Sequence, residues 1–310
     1  MPSRFWRMIA AGVLLASTAA CAGSGTSQGE PTARATSSGA PASPKPVDGL
    51  KLPVEDYMPS PWQIHQEHSA WVAVITTCLK GYGIANSTPM PVFRGPRTLL
   101  ELRYGTSDVT WASRYGYWMP GDDRPVPKAF STNPDEAKLM TGSVRTYHGR
   151  TVPVGGCVQE ARDSLSGVTG ISADRYNRLI GETGRMASET FHVARKHSTV
   201  VQAEKAWSKC MKGEGYAFAA DIFAASDSLQ LPSLRTAPAV DSKEVEMASV
   251  DARCVQQSDV IHAWFAAESL LQKEKISQSP SVWEEMRRSY RERMVNVGET
   301  LKRLKVDLRT

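Results

Sequence analysis

The sequence predicts a mainly α-helical bundle of two related halves, each stapled by a disulfide, with a loop-rich insertion in the first half that has room for a small β-hairpin. Three observations predict it. Apolar positions step by three and four along much of the chain beyond residue 50, the helical period. A cysteine element is written twice: Cys78-Leu79-Lys80-Gly81-Tyr82-Gly83 matches Cys210-Met211-Lys212-Gly213-Glu214-Gly215 at four positions, and Cys157-Val158-Gln159-Glu160 is echoed in order by Cys254-Val255-Gln256-Gln257. The 310 residues are 41% hydrophobic and 22% charged, a globular composition, and 37 basic against 32 acidic residues fall short of a nucleic-acid binder's signature.

Residues 1–20 read as an export signal, with Arg4 and Arg7 ahead of the apolar run Ile9 to Leu15 and small residues at Ser17 to Ala20. Cys21 follows directly, as in the lipobox of bacterial lipoproteins, although Thr18 stands where Leu is usual. Cys21 is therefore expected to carry a lipid and to anchor the chain to the outer face of the cytoplasmic membrane. Of residues 22–49, 22 are Ala, Gly, Ser, Thr or Pro, which leaves little to bury. The segment 21–49 reads as a disordered tether with a reach of roughly 30 Å. Export implies an oxidising compartment, in which Cys78, Cys157, Cys210 and Cys254 can all pair.

The first half spans 50–170 and the second 171–275. Trp71, Val74 and Cys78 before Gly81, and Val193, Val200, Ala203, Trp207 and Cys210 before Gly213, put each first cysteine on the buried face of a helix's last turn. Met247, Val250, Cys254, Ile261 and Phe265 mark a further helix that Asp241 or Ser242 can cap. Three disulfide connectivities are open to four cysteines. The repeat favours pairing within each half, Cys78 with Cys157 and Cys210 with Cys254. Metal ligation is disfavoured because no two of these cysteines are close in sequence, and no motif asks for a cofactor.

The insertion, 84–156, is rich in Gly, Pro and aromatics. Leu99 to Arg103 and Asp108 to Tyr115 are candidate short helices, and Val144 to Val154 a hairpin turning at Gly149. Tyr104, Trp111, Tyr115, Tyr117 and Trp118 are the candidate ligand-binding residues, because exposed Tyr and Trp offer flat apolar faces with polar tips. The competing reading packs these aromatics against the helices. A long helical stretch follows from Ser172 to Lys212, with Gly181 and Gly184 as its candidate break points. A last helix, 281–308, carries the stripe Trp283, Met286, Tyr290, Met294, Val297, Leu301, Leu304 and Leu308 opposite a basic face. That stripe is expected to pack on the core, with lying on an anionic membrane as the alternative.

No catalytic constellation stands out. His65 and His68 are three apart with Glu67 before the second, whereas a zincin needs four with Glu after the first, so they are expected on an ordinary surface helix. Asp122-Asp123 and Asp135-Glu136 read as solvated acids in Pro-rich loops. The elements Trp207-Ser208-x-Cys210-Met211-x-x-x-Gly215-Tyr216, Arg114-Tyr115-Gly116-Tyr117 and Val152-Pro153-Val154-Gly155-Gly156-Cys157 resemble uncharacterised secreted lipoproteins of actinobacteria. The first half departs from that pattern, with Tyr82-Gly83 in place of the Gly-Tyr order. The resemblance implies a disulfide-stapled helical fold in the cell envelope and passes on no active site. The expectation is a non-enzymatic binding module for an envelope component or protein. The alternatives are an envelope-polymer hydrolase with its site in 84–156, and a membrane-surface or structural protein using the C-terminal helix.

Overall fold

The computed structural model describes residues 47–93, 95–118, 133–166, 173–229, 231 and 241–308. The signal at 1–20, Cys21 and most of the tether lie outside the described residues, as do Asp122-Asp123. Tethering as a reading stops short of residue 49: Val47 is buried and its carbonyl accepts from Leu50 N in a turn.

The described chain is mainly helical. A 3-10 turn at Pro53–Asp56 precedes α1, Pro61–Gly81. Helix α1 opens on a reciprocal cap, Gln63 N donating to Ser60 Oγ and Ser60 N to Gln63 Oε1, with Pro61 at the first position. It buries Val74, Ile75, Cys78 and Leu79. Helix α2 is Val109–Tyr115, capped by Asp108 as expected. Segment 99–103 is turns and bends rather than a helix. Leu100 and Arg103 are both buried, Arg103 reaching Glu268 in the second half, and Gly105 at φ 87 turns the chain.

Helix α3, Pro134–Thr141, corrects the loop reading of Asp135-Glu136. Asn133 caps it, Pro134 starts it, and both acids fall in its first turn, where the helix dipole favours them. Strands β1, Thr146–Tyr147, and β2, Arg150–Thr151, form the expected hairpin. His148 and Gly149 turn it with φ 46 and 74, the doubly positive pair of a tight hairpin turn. Gly155 and Gly156 then launch α4, Gly156–Leu165. A Cβ on Gly156 would sit 2.2 Å from the Leu139 carbonyl, so glycine alone lets α4 start against the end of α3 and seat Cys157.

The 172–212 stretch is two helices, α5, Ala173–Ala194, and α6, Ser198–Gly213. The break comes at Arg195 to His197, not at the glycines. His197 takes an extended backbone and its ring accepts from Thr199 N, which starts α6 afresh, whereas Gly181 and Gly184 each lower helix propensity by only about 1 kcal/mol. Val193 therefore leaves the expected stripe and is exposed. Cys210 is half-buried, while Trp207 and Met211 face inward. After α7, Ala224–Ser228, helix α8, Ser242–Gln257, is capped by Asp241. The expected stripe breaks at Ser258 and Asp259, and α9, Val260–Gln278, turns Trp264 inward in place of half-buried Phe265.

Helix α10, Pro280–Arg303, ends short of 308. Its stripe packs on the bundle as expected: Met286 and Tyr290 on Leu179, and Val297 and Leu301 on Ala70 and Leu165.

Two disulfides staple the bundle, Cys78–Cys157 and Cys210–Cys254, with Cα separations of 5.7 and 5.6 Å. They sit differently on the helices they join. Cys78 closes α1 and Cys157 opens α4, and Ala70 meets Leu165 at the other end, so these helices run oppositely. In the second half Cys210 and Cys254 both lie in the last turn of their helices, α6 and α8. The insertion also leaves its own half: α2 packs on α8, and Arg103 and Tyr104 reach Glu268 on α9.

Candidate functional site

Gly116, at φ 62 and ψ −131, lets the chain leave α2 and lie along α8. A Cβ there would meet Glu244 Oε1 at 2.6 Å. The same oxygen accepts from Tyr117 N at 3.0 Å, and Tyr117 Oη donates to Asp251 Oδ2 at 2.9 Å. From the other side Trp207 Nε1 donates to Asp251 Oδ1 at 2.8 Å. One carboxyl thus joins the insertion, α6 and α8. Burial pushes Asp251 up to about 7 against the pull of both donors, and burial beside Asp251 drives the Tyr117 hydroxyl far above its ordinary value.

The five aromatic candidates separate into two sets. Tyr104 and Trp118 are buried, and Tyr117 is half-buried and tied to Asp251. These three pack the insertion onto the helices, as the competing reading has it. Trp111 and Tyr115, on α2, are half-buried like Tyr117, rings 4.3 Å apart, but lie beside the exposed Arg114, whose guanidinium is 5.1 Å from the Tyr115 ring. Trp111 Nε1 donates to the Trp118 carbonyl at 2.7 Å, which fixes the pair's orientation.

The insertion also enters a second buried network. Glu268 accepts from Arg103 Nε at 3.0 Å and Nη2 at 2.5 Å, from Tyr104 Oη at 2.8 Å, from Thr190 Oγ1 at 3.2 Å and from Gln272 Nε2 at 2.8 Å. Gln272 Oε1 accepts from Val54 N, and Arg103 Nη2 also donates to the Ala187 carbonyl. Burial and Glu268 together raise Tyr104 well above the usual phenol value. Every lone pair that Glu268 offers is engaged by the fold, so the carboxylate is a structural hub.

The sequence reading missed Asp251, Glu268 and Arg103. A signal existed for the two acids: Asp251 stands one turn before Cys254 inside an apolar stripe, and Glu268 lies four residues from both Trp264 and Gln272. An acid on a buried stripe needs a partner, and the partners lie 134 residues away for Asp251 and 165 for Glu268.

Other candidates resolve into packing. His65 is buried against Trp62 and Phe93, at 5.3 and 5.2 Å, and His68 faces Trp71, so α1 is more buried than an ordinary surface helix and the two rings do not converge. Glu67 pairs with Arg293. Glu136 is buried and its Oε1 accepts from Ser87 N and Oγ, while Asp135 pairs with Lys138. Among the described residues no three His, Cys, Asp or Glu side chains gather as a metal site. The surface has shallow, open depressions: one of about 340 Å³ beside Thr199, Gln202 and Asp259, and one of about 320 Å³ beside Cys78, Tyr82 and Arg150. Neither includes the α2 aromatics. No described helix is long and apolar enough to cross a membrane. No protein-family model, curated protein or solved structure matches the chain.

Proposed function

We propose that this chain is a lipid-anchored extracytoplasmic binding module that contacts an envelope component or protein partner through the outer face of α2. Its two disulfides fit an oxidising compartment outside the cytoplasm. The observation that carries the reading is the half-buried Trp111–Tyr115 pair with exposed Arg114, held on a backing of buried residues. Trp, Tyr and Arg are the side chains that dominate binding surfaces, and a fixed pair loses little entropy on contact. Asp251 and Glu268, the two most deeply buried carboxyl groups, are engaged by the fold rather than by a cleft, which favours binding over hydrolysis of envelope polymer.

Two measurements test this. Cys21→Ala should move the protein from the membrane fraction to the soluble one; retention in membranes refutes the anchor. Trp111→Ala with Tyr115→Ala should lower retention on isolated envelope by at least tenfold with the unfolding midpoint nearly unchanged, and undiminished retention refutes the α2 surface.

A further inference from the structure

The apolar stripe of α10 is consumed by the bundle, so this helix has no face left to insert into a bilayer. Its opposite face is charged and unevenly so. The Glu284, Glu285 and Glu67 carboxylates pair with Arg287, Arg175 and Arg293. Arg288, Arg291, Lys302 and Arg303 are exposed and form no close ion pair among the described residues, although Arg288 also acts on Glu285, and Lys305 follows just beyond the helix. Against them on that face stand exposed Glu299 and half-buried Glu292, one turn after Arg288, which leaves the strip an excess of cations. The strip from Arg288 to Lys302 is roughly 20 Å long at the rise of an α-helix. Val295 in its middle is 57% exposed, and Gly298 beside it has no side chain, so little stands between the cations and a flat surface.

Residues 51–57 run beside the same helix. Lys51 and Asp56 pair on the segment leading to α1, and Tyr57 sets its ring on that of Trp283 in α10, 5.3 Å away. A lipid on Cys21, with a tether reach of roughly 30 Å, would keep the described fold close to a membrane.

We propose that the outer face of α10, through Arg288, Arg291, Lys302 and Arg303, docks on the anionic headgroups of the membrane. The anchored reading enters only as the reason this face meets a membrane often; the docking itself is electrostatic. Each cation close to an anionic surface strengthens binding about fivefold, and salt weakens it.

The test uses the chain carrying Cys21→Ala, purified from an exporting host, so that docking is read without the anchor. Co-sedimentation with vesicles of phosphatidylcholine containing one-third phosphatidylglycerol should exceed that with phosphatidylcholine alone by at least tenfold at low salt, and should vanish in half-molar salt. Arg288→Gln, Arg291→Gln and Lys302→Gln together should reduce it at least tenfold. Lys205→Gln, Lys209→Gln and Lys212→Gln, which remove equal charge from exposed positions on α6, should leave it within twofold. Equal binding to neutral vesicles, equal loss in both triple variants, or no vesicle binding overturns the proposal. Binding to soluble polyphosphate as tight per phosphate overturns the choice of a membrane as the partner. None of these outcomes bears on whether Cys21 is lipidated, which fractionation of the unaltered chain decides.

Discussion

Asp251 holds a proton on the folded chain up to a pH of about 7, against an ordinary value of 3.8, because burial costs its charged form more than Tyr117 and Trp207 return. Between those two values the folded state binds a proton that the unfolded state has released. The stability from this group is therefore fully present below pH 4 and is lost as pH rises towards 7, by roughly 4 kcal/mol across the window. Asn offers the same shape with no charge, an amide that can serve Tyr117 and a carbonyl that can accept from Trp207. Asp251→Asn should therefore gain on the native chain by roughly 4 kcal/mol between pH 4 and 8. Urea unfolding of both chains across that range measures it, and parallel profiles would refute it. Gly116 shows the same economy of position: only a residue without a side chain fits at φ 62 against Glu244, and that fit delivers the Tyr117 hydroxyl to Asp251.

At the level of elements, the two disulfides close chain separations of 44 and 79 residues. In the chain-entropy account each contributes roughly 4 kcal/mol, with little difference between them because the dependence on length is logarithmic. Their surroundings differ more. Cys78 and Cys157 are both buried in the core of α1 and α4, whereas Cys210 is half-buried on α6. Exchange requires a thiolate to reach a sulfur, so mild reduction should open Cys210–Cys254 first. Timed alkylation with mass mapping should label Cys210 and Cys254 before Cys78 and Cys157; simultaneous labelling or the reverse order would refute this. The repeated Cys-x-Lys-Gly-x-Gly element was legible as a helix ending, since glycine at positive φ at Gly83 and Gly215 closes off α1 and α6. Its partner was legible as a helix but not in its place along that helix. A Cys-Val-Gln element reads the same at the start of α4 and near the end of α8, because nothing in three residues records which end of a helix they occupy.

Across the whole molecule, the halves written in the sequence are interlocked. Val54, Arg103 and Tyr104 from the first half converge on Glu268 and Gln272 of the second, and α2 lies on α8. Glu268→Ala would leave the Arg103 guanidinium buried without its carboxylate, at a cost of about 3–5 kcal/mol, and Arg103→Met with Glu268→Leu should recover much of that. Thermal unfolding of the single and double variants decides it; a double variant no more stable than Glu268→Ala alone would show that the pair is not the lock. The helical content, the hairpin at Gly149 and the packing stripe of α10 were set by local pattern, because period, capping and turn residues act within a few neighbours, whereas the pairing of the cysteines was favoured by the repeat and decided by which helices pack together. The break between α5 and α6, the turns at 99–103, the burial of Tyr104 and Trp118, and the roles of Asp251 and Glu268 were decided by tertiary structure. Each depends on groups far apart in the chain whose polar atoms must find partners once buried, and a sequence records the need for a partner without recording which one it meets.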